Sequence, residues 1–185
     1  MSSLLAGLRK WQVKKSWKVE GLRVTYRDAA KLEAIACVFI DAGLVLGDEG
    51  TSWDQALLQH ARCKGQLPVT IARDNIGRLI GAAVGTAAGQ VFEVEEIAVL
   101  RESRSQGVGT DLLRSLESLS KVGGAHTCHA FVPEDDLESQ LFFKAAGYAV
   151  PGKRSGIVEV DGATSYLFVR SLGEPDDFAE LDDGD

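Results

Sequence analysis

Residues 91–116 read VFEVEEIAVLRESRSQGVGTDLLRSL. A strand-like apolar run, Val91 to Leu100, gives way to a polar loop holding Arg104, Gly107 and Gly109, and an amphipathic pattern starts at once behind it. Glycine lets the main chain approach a ligand more closely than any residue with a Cβ permits. The first turn of the following helix presents N–H groups without intrahelical acceptors, at the positive end of the helix dipole. Strand, glycine loop and helix N-terminus in that order form a receptor for phosphate or pyrophosphate. The chain therefore reads as a binder of a nucleotide-bearing ligand.

On the N-terminal side of this stretch, Leu22 to Arg27 reads as a strand, and Asp28 is placed to cap a helix that stops at Gly43. A second helix is expected over Trp53–Cys63, with Ser52 as its cap and its end near Gly65. Val69–Asp74 and Leu79–Ala87 form a hairpin around Asn75-Ile76-Gly77. On the C-terminal side, Leu112, Leu113, Leu116 and Leu119 mark a helix from about 108 to 122. A strand His126–Val132 closes at Pro133, and a helix Leu137–Ala146 ends at Gly147, a good C′ residue. Strands at 155–160 and 164–170 pair around Asp161-Gly162. The helix at 108–122 is a crossover, so the strands at 91–100 and 126–132 should run parallel with a right-handed connection. The expected fold is a single domain of the α/β (α+β) class. Its sheet is mixed, mostly antiparallel, with about seven strands, one parallel pair and about four helices.

With 185 residues, 45% of them hydrophobic, the chain has enough apolar content for one self-sufficient core. The domain is expected over residues 19–172. An N-terminal arm or short helix over 1–18 precedes it, with Leu4, Leu8, Trp11 and Lys15 on one stripe, and a disordered acidic tail over 173–185 follows. The net charge of −7 comes from that tail: EPDDFAELDDGD holds seven acids, and without them acids and bases balance. A near-neutral body gives no sign of a nucleic-acid surface. No apolar run is long enough to span a bilayer, and Leu4, Leu5 and Leu8 precede the first charges, the reverse of a secretory signal. Cys37, Cys63 and Cys128 are odd in number and lack C-x-x-C spacing, which argues against a disulfide framework or metal cage and for a reduced, cytoplasmic setting. The loop lacks the Gly-Lys-Ser/Thr of a kinase-type phosphate loop.

The element order, with IAVLRESRSQGVGT at its centre, resembles the GCN5-related N-acetyltransferase (GNAT) superfamily over residues 22–170. Arg104, Gly107 and Gly109 match its Gln/Arg-x-x-Gly-x-Gly/Ala signature, and LFFKAAGY (141–148) is similar to its penultimate helix ending in Gly-aromatic. The resemblance implies acetyl-coenzyme A as co-substrate, held where two parallel strands splay apart. Amides of Arg104, Ser105, Gln106, Gly107, Val108, Gly109 and Thr110 would hold the pyrophosphate. Main-chain groups of Ile97, Ala98 and Val99 would pair with the pantetheine, one amide serving as oxyanion donor. The implied reaction is direct attack of a primary amine, from a small metabolite or a protein, in a ternary complex.

The family often keeps a carboxylate base on the strand before the loop. This chain has Glu93, Glu95 and Glu96 there. Strict alternation puts Glu93 and Glu95 on one face with Ile97 and Val99, and Glu96 on the other with Val94 and Ala98. Glu95 or Glu93 is the expected base; otherwise the pair lines the acceptor cleft and attracts a cationic amine. Phe143 stands where many members carry a tyrosine acid, and Asp136 where an asparagine is common. Phenylalanine cannot donate a proton, so the alternative is an acyl-CoA-binding sensor with little or no turnover. His129 alternates with Thr127 and Phe131 towards the cleft or sits partly buried, and Cys128 reads as a small buried hydrophobe. Trp11 and Trp17 are expected to pack the arm onto its own domain or onto the mate in a homodimer. Trp53 and Asp54 fall where the family builds its acceptor pocket.

Overall fold

The computed structural model describes residues 16–44, 51–151, 157–160 and 163–173. The elements are β1 (Trp17–Val24), α1 (Ala29–Asp41), α2 (Trp53–Lys64), β2 (Leu67–Asp74), β3 (Leu79–Ala88) and β4 (Val91–Val99). After a 3-10 turn at Arg101–Ser103 come α3 (Val108–Val122), β5 (Thr127–Pro133), α4 (Leu137–Ala145), β6 (Ile157–Val160) and β7 (Ala163–Ser171). The strands form one sheet in the order β1-β2-β3-β4-β5-β7-β6. Among the described residues neighbouring strands pair antiparallel except β4 with β5, which the α3 crossover makes parallel. This is the expected class and topology.

Two helical layers cover the sheet, and its strands alternate between them. On one face Leu67, Val69 and Ile71 of β2 and Ala82 and Val84 of β3 pack under α1 and α2, against Leu32, Phe39, Trp53 and Leu57. On the other, Ile80, Ala83, Phe92 and Val94 pack with Val108, Leu112 and Leu116 of α3 and Phe143 of α4. Among the described residues, no helix is long and apolar enough to cross a membrane.

Three local expectations change, the smallest being that Ser52 precedes α2 without a side-chain cap bond. The first strand lies earlier than Leu22–Arg27: β1 pairs with β2 from Trp17 opposite Asp74 to Val24 opposite Leu67. Lys18, Glu20 and Gly21 hide its alternation in the sequence, yet Trp17 and Val19 pack towards α3 and Leu22 and Val24 towards α1 and α2. Trp17 is also tied down, its Nε1 donating to Asp111 Oδ2 at 2.9 Å; Trp11 lies outside the described residues. Asp28 does precede α1, but its carboxylate does not cap the helix. It accepts from Thr25 N (3.0 Å), Thr25 Oγ1 (2.9 Å) and Lys31 Nζ (2.9 Å), closing the turn behind it. The expected arm and acidic tail lie outside the described residues, save for 16–18 and 173.

Candidate active site

The site begins with a break in alternation. Along the β3–β4 ladder Val84 lies opposite Glu96, and the next residue of β3, Gly85, lies opposite Val94. Glu95 is the extra residue of a β-bulge. Before it, Phe92 and Val94 face α3; after it, Ile97 and Val99 do, while Ala98 and Leu100 pack under α1 and α2. Glu93, Glu95 and Glu96 consequently all lie on the α1–α2 side. The expected grouping of Glu93 and Glu95 with Ile97 and Val99 is therefore corrected, because one inserted residue shifts the phase of the strand.

Parallel pairing ends at the same place. β4 and β5 stay in register from Val91 opposite Thr127 to Val94 opposite Ala130, and no further. Beyond that point the strands part around a cleft of about 770 Å³, with Ile97, Ala98 and Val99 on one wall and Phe131, Val132 and Pro133 on the other. The start of α3 closes one end through Ser105, Gly107, Gly109 and Thr110.

The backbone geometry of the loop suits an anion. Ser105 (φ 58°) and Gly107 (φ 95°) are both left-handed, a backbone alternation that turns successive amides towards one point. The first main-chain bond into α3 runs from Asp111 N to Gly107 O at 3.0 Å. By helix geometry the amides of Val108, Gly109 and Thr110 are left free for a ligand. Val108 anchors the loop in the core at 1% exposure. Two side chains of the loop are engaged by main-chain carbonyls. Gln106 Nε2 donates to Glu102 O (3.0 Å), and Arg104 donates from Nε to Val99 O (3.0 Å) and from NH2 to Ala42 O (2.8 Å). Arg104 thus ties the end of β4 to the end of α1, and Val99 O is already occupied.

On the α1–α2 side a second hollow of about 190 Å³ lies between α2 and the sheet, walled by Trp53, Leu57, Leu67 and Val84. Glu95 and Glu96 border both this hollow and the cleft. Glu95 Oε1 accepts from Thr86 Oγ1 at 2.7 Å and lies 3.8 Å from His60 Nε2. Burial, and secondarily the neighbouring Glu95 charge, pushes the Glu96 carboxyl up to about 7. Glu93 is raised too, first by burial and then by Glu95, with Lys64 opposing. Thr86, His60 and the nearness of Glu96 escaped the sequence. The available signals were the Glu95-Glu96 doublet, which breaks a period of two, and a histidine on the Trp53–Leu57–Ala61 stripe of a helix.

Trp53 serves as a wall rather than a handle. It is buried, meets Phe39 edge-on at 5.0 Å and donates from Nε1 to Leu44 O at 3.0 Å; Asp54 beside it is exposed. Phe143 packs among Tyr148 (5.1 Å) and Phe168 (5.9 Å). Asp136 caps α4, accepting from Ser139 N at 3.0 Å. His129 shares its face with Thr127 and Phe131 and stands opposite Glu93 across the parallel pair. Cys128 is buried, and its thiol is pushed up to about 11 by that burial, which keeps it from nucleophilic work. Among the described residues no group of three or more His, Cys, Asp or Glu is placed to hold a metal.

Comparison with known proteins supplies the lineage. The chain is 30% identical over 105 residues to Probable N-acetyltransferase 14 of Danio rerio. That match takes in 56% of this chain but only 36% of the relative. A GNAT-family protein of Desulfovibrio desulfuricans superposes with a TM-score of 0.65 at 16% identity, covering 84% of this chain and all of that one. A Salmonella typhimurium protein solved with its cofactor acetyl-CoA does so with a TM-score of 0.62 at 18% identity, covering 85% and 95%. These two likenesses speak for the fold. The model of the Acetyltransferase (GNAT) family matches residues 37–148, from within α1 through α4 to Tyr148, and by that match the chain belongs to the GNAT acetyltransferase family.

Proposed function

We propose that the chain is an acetyl-CoA-dependent N-acetyltransferase that acts on a primary amine, of a small molecule or a protein, by direct transfer in a ternary complex. One observation carries this: Glu95 and Glu96, at the bulge, border both the cleft and the hollow under α2. An amine entering from the α2 side meets carboxylates where the other side would present an acyl group. The fold neighbour solved with acetyl-CoA supports that choice of co-substrate.

Acetyl-CoA supplies the activated acyl group as a thioester. Amides of residues 105–110 hold its pyrophosphate at the start of α3, and the edge of β4 at Ile97–Val99, left open by β5 and with only the Val99 carbonyl taken by Arg104, orders its arm. Glu96 takes the proton of the acceptor ammonium, the role expected of Glu95 or Glu93. Glu96 titrates near neutrality, whereas Glu95 is engaged by the Thr86 hydroxyl. Glu93 and Glu95 add the negative field that draws the cation in. The acting unit, expected over 19–172, begins with β1 at Trp17, and the free thiols Cys37, Cys63 and Cys128 suit a reducing cytoplasm.

The sensor alternative has a specific observation in its favour, since Phe143 sits in the core with no proton to give. A thiol-release assay with acetyl-CoA and a panel of amines, run beside calorimetry of acetyl-CoA binding, separates the two. Turnover with at least one primary amine is expected. Binding without turnover establishes the sensor, and absence of binding removes both.

A further inference from the structure

Among the described residues, His60 Nε2 is a buried side-chain nitrogen with no hydrogen-bond partner. His60 stands on α2 between the buried Leu57 and Ala61, so helix geometry turns it towards the sheet. Its Nε2 lies 3.8 Å from Glu95 Oε1, the oxygen held from the other side by Thr86. Although that nitrogen is inside, the side chain as a whole is 33% exposed. The ring spans the distance between the carboxylates and water. Glu95 and Glu96 of β4 line the same hollow as His60, and Lys64 stands one turn further along α2.

We propose that His60 is the proton exit of the acceptor site: it takes on Nε2 the proton that the β4 carboxylates remove from the substrate ammonium and releases it to solvent. This rests on the amine-acetylation reading above. One turnover forms an amide N–C bond, breaks the thioester C–S bond, leaves a thiol and frees one proton. That proton starts on an ammonium inside the α2 hollow and must leave past α2. Glu96 accepts it, Glu95 carries it within reach of the imidazole, and the imidazole returns to neutral by giving it to water. The gap of 3.8 Å closes by a small side-chain rotation or a bridging water, as catalytic contacts commonly do on substrate binding. His60 acts through Glu95 and is a positioning and relay residue rather than one that touches substrate.

The test uses the full-length chain and an amine that it acetylates. His60→Gln keeps polarity and size but exchanges no proton. Its kcat is expected to fall on the order of tenfold or more, with both KM values within about twofold of wild type. His60→Ala is expected to lose the same activity and to regain it as imidazole is added to the buffer. His126→Gln, just before β5 and away from both cavities, should match wild type. A wild-type kcat in His60→Gln overturns the proposal. So does a loss in both His60 variants that imidazole never restores and that comes with raised KM, since that marks a packing role. Failure of the wild-type chain to acetylate any amine is seen before a variant is made; it fells the underlying reading and this one with it.

Discussion

On the proposed reading, the Glu96 carboxyl bears on stability and on turnover together. Burial raises its folded pKa to about 7, against an ordinary 4.5. Between those values the unfolded chain has released the proton and the folded chain still holds it, so stability falls as pH rises through that window. Glu96→Gln should accordingly unfold at higher urea than wild type at pH 8, with the gap closing by pH 4. The same change should lower turnover on the order of 10²-fold and abolish a rising limb of kcat/KM centred near pH 7, while calorimetry finds acetyl-CoA affinity unchanged. Glu95→Gln removes the like charge that helps to raise Glu96, so that limb should survive and move to lower pH. If the two variants share one pH profile, Glu96 is not the proton acceptor. The sequence offered the cluster of carboxylates but not the side of the sheet on which Glu96 lies. Two adjacent glutamates on a strand look like one in and one out until an inserted residue turns both to the same side.

The elements were legible because their signals are local. Apolar periodicity, Gly43 and Gly147 at helix ends and the Asn75-Ile76-Gly77 turn each mark a boundary without help from distant residues. The bulge was not, because it depends on what lies across the ladder. There Gly85 is indispensable: a Cβ would collide with the Glu93 carbonyl and the Phe92 ring, whose Cζ is 2.5 Å away. Gly85→Ala should cost about 1–3 kcal/mol in a urea titration and weaken acetyl-CoA binding, since relief of the collision shifts the residues that open the cleft. Gly107 is a different case. Nothing lies within 4 Å of a Cβ there, but its φ of 95° disfavours any side chain. Gly107→Val should lose about 1–2 kcal/mol from backbone strain and all measurable binding of acetyl-CoA. A folded Gly107→Val protein of unchanged affinity would remove the loop from the site.

At the scale of the whole molecule, the cleft needs the layer behind it to hold still. A buried polar knot does this. Tyr148 OH donates to Glu117 Oε1 at 2.9 Å, and Arg170 NH1 reaches the same oxygen at 3.3 Å and Ala146 O at 2.7 Å. One carboxylate thereby joins α3, β7 and the turn after α4. Burial pushes both the Glu117 carboxyl and the Tyr148 phenol up, the Glu117 charge adding to the latter. Tyr148→Phe leaves Glu117 with Arg170 as its side-chain partner and should cost about 1–3 kcal/mol by urea denaturation, with kcat close to wild type at temperatures where the protein stays folded. Tyr148 was legible only as an aromatic after Gly147; its acceptor Glu117 lies 31 residues away and has no sequence signature.

The odd residue at position 95 has an arithmetical consequence. Excise it, and Val94 would be followed directly by Glu96, restoring one-to-one pairing with Gly85 and Val84. Phe92, Val94, Ile97 and Val99 would then fall on a single unbroken stripe, and β4 would become the regular strand that its composition suggests. Such a protein has every reason to fold and none to part its strands. If the cleft is where acetyl-CoA enters, its capacity to do so is written in this chain as a counting error, and correcting it should yield a sounder sheet that no longer binds acetyl-CoA.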